Sequence, residues 1–219
     1  MAIENETVQS MFADFGIDPQ HVSKSLTSLA AVNHKYLRDL KLNVAAMLGS
    51  ANLTRKEAYL IALSVAVNEK NDALISAFEA QATKEGATPD EIAETHGCTS
   101  VMNLNNVLYR FRHYMHGNEY YAKTPAGVRM SIMMTPVMGK QLFELISLVV
   151  SAVNGCEQCV NSHEHSVKEQ GASEARIYDA IRLAAVAHAR VVRVLDRSDR
   201  DPAHGIVSRR TPSVGVRQR

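Results

Sequence analysis

Signals that start and stop helices recur along this chain at short intervals, and almost nothing in it reads as a strand. Thr54-Arg-Lys-Glu57 has the form of a capping box, and an apolar run through Val67 follows it. Thr88-Pro89-Asp90-Glu91 offers an N-cap, a proline at the first helical position and acids in the first turn. Thr135-Pro136 opens a segment that runs to Asn154, where Asn154-Gly155 breaks it. A polar helix follows from about Cys156 to Gln170, closed by Gly171, and Ser173 caps a last long helix through Leu195. Ahead of all these, Ser25 to Leu48 reads as one or two helices. Alternating Val/Ile/Thr runs are nearly absent, and the Asn-Gly and Gly-Asn pairs are not flanked by them. The fold class is all-α.

The core of such a fold must come from aliphatic residues, Ala and Met, because the 219 residues contain no Trp and only 5% aromatics. That length allows one domain, or two small ones around a shared core. With 46% hydrophobic and 21% charged residues, general disorder is excluded. A net charge of +1 implies no global attraction to nucleic acid or to an anionic membrane. Three cysteines exclude a disulfide-stapled secreted scaffold. The start, MAIENETVQSMF, has two Glu and no basic region, so it does not read as a signal peptide. The longest apolar stretch, Leu142 to Val153, is interrupted by Glu144 and too short for a bilayer. A cytoplasmic protein is expected.

A weak internal repeat is visible. Ala66-Val67-Asn68 recurs as Ala152-Val153-Asn154, and Lys84-Glu85-Gly86-Ala87 as Glu169-Gln170-Gly171-Ala172. Both matches fall at the same place in a helix–turn–helix–Gly–helix unit, and the second copy has cysteines where the first has Glu69 and Asp72. Chance similarity between two Ala-rich hairpins is the plain alternative. The chain then divides into an N-terminal segment (1–24), a first, non-catalytic helical half (25–130), a second half carrying the cysteine pair (131–195) and an Arg-rich tail (196–219) expected to be solvated and disordered.

Chemistry concentrates in Glu144 … Cys156-x-x-Cys159-x-x-x-His163. Cys156 follows the Asn-Gly breaker, so the pair falls in the first turn of a new helix. Unpaired N–H groups and the helix dipole favour an anion there, which lowers a thiol pKa. The i, i+3 spacing puts both sulfurs on one face, close enough to join as a disulfide. His163 lies one turn further along that face and can accept or return a proton. If the two helices around Gly155 form an antiparallel hairpin, Glu144 lies about 16 Å down the first and His163 about 12 Å down the second, at ~1.5 Å per residue. They are nearly level and can face each other. Glu144 stands alone in Leu142-Phe143-Glu-Leu145-Ile146, and a carboxylate there is costly without a partner. Singly, each residue also has a plain reading: a solvated helix edge, a surface imidazole, two inert buried thiols.

Two other readings of the residues stand beside this one. A C-x-x-C with a nearby His is part of a zinc pattern, but a fourth ligand is missing at the usual spacing, with only His165 and the remote Cys98 on offer. Cys98 itself reads as a small buried hydrophobe. The segment Asn103 to His116, with Arg110, Arg112, His113 and Tyr114, could be a basic–aromatic nucleic-acid patch. However, Leu104, Leu108, Phe111 and Met115 form an a/d stripe, which predicts a core-facing helix with His113 and His116 at the surface or a subunit interface.

The stretch Glu144-Leu-Ile-Ser-Leu-Val-Val-Ser-Ala-Val-Asn-Gly-Cys156-Glu-Gln-Cys159-Val-Asn-Ser-His163-Glu-His resembles the signature of AhpD-type alkylhydroperoxidases, within the carboxymuconolactone decarboxylase-like superfamily. Asn105-Asn106-Val-Leu-Tyr109-Arg110-Phe resembles that family too, and the likeness covers most of residues 25 to 195. The resemblance implies an all-α protein of two related halves, assembled as a homotrimer. It implies a thiol-dependent alkyl hydroperoxide reductase with no bound cofactor and no metal, coupled to a peroxiredoxin and reduced by a lipoyl-bearing protein through its dihydrolipoyl dithiol. The family's peroxide-reacting cysteine falls on Cys159, its partner cysteine on Cys156, and its proton relay on Glu144 and His163. Some members carry a further His inside the C-x-x-C, where this chain has Gln158. No nucleotide-binding glycine motif occurs, so electrons are expected from a protein or small thiol. A non-enzymatic redox-sensing module and a decarboxylase of the same superfamily remain as alternatives.

Overall fold

A computed structural model describes residues 4–17 and 23–193, and every regular element among them is helical. The tail 196–219 lies outside the described residues. The helices are α1 (Glu6–Phe15), α2 (Lys24–Ala31), α3 (Tyr36–Leu48), α4 (Arg55–Asn68), α5 (Asp72–Lys84), α6 (Pro89–Tyr114), α7 (Glu119–Lys123), α8 (Lys140–Val153), α9 (Glu157–Glu169) and α10 (Glu174–Arg193), with one 3-10 turn at Ser131–Met133. None of the described helices is long and apolar enough to cross a membrane.

Two helices form the centre. α4 is buried continuously from Ala58 to Ala66 and α8 from Leu142 to Ser151. A helix apolar on every side is stable only when enclosed. α3, α5, α6, α9 and α10 surround them. The predicted caps form. Thr54 and Glu57 make a reciprocal capping box at α4, and Thr88 and Glu91 make another at α6 with Pro89 in its first turn. The Ser173 hydroxyl accepts from the Arg176 N–H at the start of α10. The N-terminal segment contains a helix that the sequence did not announce. Asn5 caps α1, which buries Val8, Met11 and Phe12.

The repeat is regular in space. α4 and α8 each have 14 residues, α5 and α9 each have 13, and Lys140 and Glu157 stand 85 positions after Arg55 and Asp72. Both hairpins turn through a left-handed residue, Lys70 (φ 57°) and Gly155 (φ 67°), and both exit through one, Gly86 (φ 88°) and Gly171 (φ 86°). This register corrects the sequence alignment. The Ala-Val-Asn match is one residue out of step, and the counterparts of Cys156 and Cys159 are Asn71 and Leu74, not Glu69 and Asp72.

Two further expectations change. Helix α8 starts at Lys140, not at Thr135-Pro136, because Glu94 of α6 accepts the N–H groups of Val137 and Met138 (2.7 Å each) and holds Pro136–Gly139 as a turn. The Leu104/Leu108/Phe111/Met115 stripe does not face this chain's core. Leu104, Phe111 and Met115 are exposed, with Val107 and Tyr114 beside them, while Cys98, Met102, Asn105 and Asn106 face inward. The inward face carries asparagines because it meets the polar ends of α4 and α8. Periodicity marks the apolar side of a helix, and here that side is not the buried one.

Candidate active site

The α8–α9 hairpin brings the four predicted residues into one region. Cys156 is the N-cap of α9 and Cys159 lies in its first turn, where unsatisfied backbone N–H groups and the helix dipole favour negative charge. The two sulfurs are joined in a disulfide with Cα atoms 5.3 Å apart, and both cysteines are buried. The turn is tied on both sides: the Cys156 N–H donates to the Ser151 carbonyl (3.0 Å) and the Val160 N–H to the Cys156 carbonyl (2.9 Å).

Glu144 and His163 meet as the hairpin arithmetic predicts, with His163 Nδ1 2.7 Å from Glu144 Oε2 and both residues buried. Burial pushes the Glu144 carboxyl up, but the hydrogen bond and charge of His163, together with Lys140, outweigh it and hold the group below the usual carboxylate range. An anionic Glu144 accepting at Nδ1 fixes which ring nitrogen carries the proton and leaves Nε2 for exchange.

Lys140 went unnoticed in the sequence. Its Nζ is 3.2 Å from Glu144 Oε1 and donates to the Met133 carbonyl (2.8 Å). The i, i+4 spacing to Glu144 was the available signal. The asparagines of α6 went unassigned as well. Asn106 donates to the Ser151 hydroxyl (2.9 Å) and accepts from Asn154 (2.9 Å), while Arg110 donates to the Asn154 carbonyl (2.5 Å). Asn68 and Asn103 complete this cluster, which fixes the turn two residues before Cys156. Arg110 and Asn106 are thus engaged within the protein, at the turn before the cysteines. His113, exposed, lies 3.6 Å from Glu157 at the start of α9.

Cys98 is buried against α8, 3.4 Å from the Ser147 hydroxyl, and burial pushes its thiol up to about 12. It takes no part in the disulfide. For the zinc alternative, His163 is turned to Glu144 and His165 lies 3.3 Å from Glu169. Among the described residues no group of three or more His, Cys, Asp or Glu is gathered as metal ligands would be.

The same seats in the first hairpin hold other side chains. Tyr59 occupies the position of Glu144 and Phe78 that of His163, with ring centroids 6.4 Å apart. Arg55, counterpart of Lys140, donates to the Tyr59 hydroxyl (3.0 Å).

A helical repeat with a paired-cysteine turn in one copy defines the class, and the Carboxymuconolactone decarboxylase family profile matches residues 120–196, the stretch holding that turn. The chain is 43% identical over 155 residues to an alkyl hydroperoxide reductase AhpD of Anaeromyxobacter dehalogenans (strain 2CP-C), covering 71% of this chain and 82% of that protein. It is 35% identical over 162 residues to the protein of the same name from Azorhizobium caulinodans (74% and 88% covered). It is 34% identical over 165 residues to that of Streptomyces coelicolor (75% and 92% covered). The chain belongs to the AhpD family.

Proposed function

We propose that this protein is a thiol-dependent alkyl hydroperoxide reductase whose chemistry is confined to the second helical half, residues 131–195, with 25–130 as scaffold. The relatives' shared name, alkyl hydroperoxide reductase AhpD, supports the reaction class. The observation that carries the residue assignment is the buried Glu144–His163 contact of 2.7 Å in the hairpin that also holds the Cys156–Cys159 pair.

In the reduced state the Cys159 thiolate attacks the terminal oxygen of the hydroperoxide. An S–O bond forms, the O–O bond breaks, and the leaving alkoxide takes a proton to become the alcohol. Cys159 is then a sulfenic acid. The Cys156 thiolate attacks that sulfur, forming the disulfide and releasing water. His163, oriented by Glu144, supplies and collects these protons. An external dithiol of the dihydrolipoyl kind reduces the disulfide by exchange, so each cycle converts hydroperoxide and dithiol into alcohol, water and oxidised donor. No bound cofactor is required. A lipoyl-bearing protein as donor, a partner peroxiredoxin, a cytoplasmic setting and a homotrimer belong to this reading. The exposed outer face of α6 supports the last.

The test is hydroperoxide consumption with reduced lipoamide, wild type against Cys159→Ser. Turnover that needs Cys159 is expected. Catalysis that survives the substitution, or none in the wild type, overturns the assignment, and the latter returns the pair to a sensing role.

A further inference from the structure

Lys140 is in the wrong place for a helix. It is the first residue of α8, where the macrodipole disfavours a cation. α8 has no acidic residue in that turn and no side-chain cap at Gly139 to offset it. It also precedes Glu144, the less favourable order for an i, i+4 pair. A residue that breaks local rules in several ways is held there by something outside its helix.

The connector before α8 does the holding. Glu94 fixes its end through the N–H groups of Val137 and Met138, Ile132 packs over Gly97 of α6, and the Asn105 amide lies 3.9 Å from the Met133 sulfur. So placed, the Met133 carbonyl accepts from Lys140 Nζ at 2.8 Å, and the ammonium reaches Glu144 Oε1 at 3.2 Å while Glu144 Oε2 faces His163. The first hairpin keeps a cation in the same seat, where Arg55 reaches the Tyr59 hydroxyl.

We propose that Lys140 is a positioning residue of the site: clamped by the Met133 carbonyl, it holds one oxygen of the Glu144 carboxylate so that the other is presented to His163. This rests on the reading of Glu144 and His163 given above. The groups that act on Glu144 are His163 from α9 and Lys140 from its own helix, and across on α6 the Cys98 thiol feels the charges of both Glu144 and Glu94. Among them Lys140 and His163 favour the carboxylate.

The experiment compares Lys140→Met, Lys140→Gln and Lys140→Arg. Glu144 is followed by carbon-13 NMR of its carboxyl in the disulfide form, and turnover of a small alkyl hydroperoxide is followed against pH. In Lys140→Met the Glu144 midpoint should rise, and the acid limb of turnover should move to higher pH. The rate near neutrality should fall by about tenfold, less than the loss from removing an acid–base group itself. Lys140→Gln keeps a donor for Met133 without the charge and should titrate like Lys140→Met, while Lys140→Arg should recover most of the rate. A Glu144 titration unmoved in Lys140→Met and Lys140→Gln overturns the proposal, as does an Arg variant as slow as the Met variant. If the wild type shows no turnover, the peroxidase reading falls, and the carboxyl titration still decides the role of Lys140.

Discussion

At the scale of single residues, the proposed site centres on a buried carboxylate kept charged by its neighbours. Glu144→Gln and His163→Gln should each slow turnover by ~10²–10⁴-fold without abolishing slow disulfide formation. The double substitution should cost little more than either single one, because residues acting as one unit lose their benefit at the first removal. A double mutant slowed by the product of the two effects would mean independent roles. Glu144 also makes stability depend on pH. Its folded carboxyl lies below the ordinary value of 4.5, so its contribution is fully present above that value and is lost as pH falls through the folded value. Denaturant midpoints of wild type and Glu144→Gln should therefore differ by a constant amount at neutral pH and converge only in acid. Cys98 should behave in the opposite sense to the pair. Its thiol is pushed up to about 12, so near pH 8 it stays protonated and buried. Alkylation of reduced protein should mark Cys156 and Cys159 and spare Cys98, and mild peroxide should remove two hydrogens per chain by bridging only the pair. The gathering of Glu144, His163 and the cysteine pair in one hairpin was legible in the sequence, because a lone acid in an apolar run and a C-x-x-C after a helix breaker both violate local expectation. Lys140 was not, because its neighbour Met133 acts through a backbone carbonyl whose place depends on Glu94, far away in the chain.

At the scale of elements, the hairpin turn is the part most exposed to test. Gly155 has φ 67°, and a Cβ added there would meet nothing within 4 Å. Gly155→Ala should therefore cost only the left-handed backbone penalty, about 1–2 kcal/mol, measurable by urea unfolding. A much larger loss would reveal a packing role. Arg110→Met removes a charged donor from the Asn154 carbonyl and should cost about 1.5–3 kcal/mol, with slower disulfide closure. Caps and breakers located most helices in advance, since their signals lie within four residues. The start of α8 and the buried side of α6 could not be placed in that way. Both depend on partners distant in sequence, Glu94 for the first and the asparagine cluster for the second.

At the scale of the molecule, the outer face of α6 is apolar and exposed, with Val107 63% and Tyr114 64% accessible and Phe111 packed edge-on against Tyr121 at 5.1 Å. Light scattering should return about three times the 24.1 kDa of one chain. Val107→Lys should shift the population toward monomer while the reduced pair still closes under peroxide, because the four site residues lie within one hairpin. A wild-type monomer at micromolar concentration would remove the trimer and leave the thiol chemistry standing.

The two hairpins have opposite contents at matching seats: rings at Tyr59 and Phe78, a carboxylate hydrogen-bonded to an imidazole at Glu144 and His163. Burying charge opposes folding, and burying rings favours it. A single hairpin would have to serve both demands at the same positions. In the proposed reading two copies divide the labour, one seat serving cohesion and the other reactivity. Substitutions in the second copy, down to Glu157 and Gln158 between its cysteines, would then leave the cohesion of the first untouched.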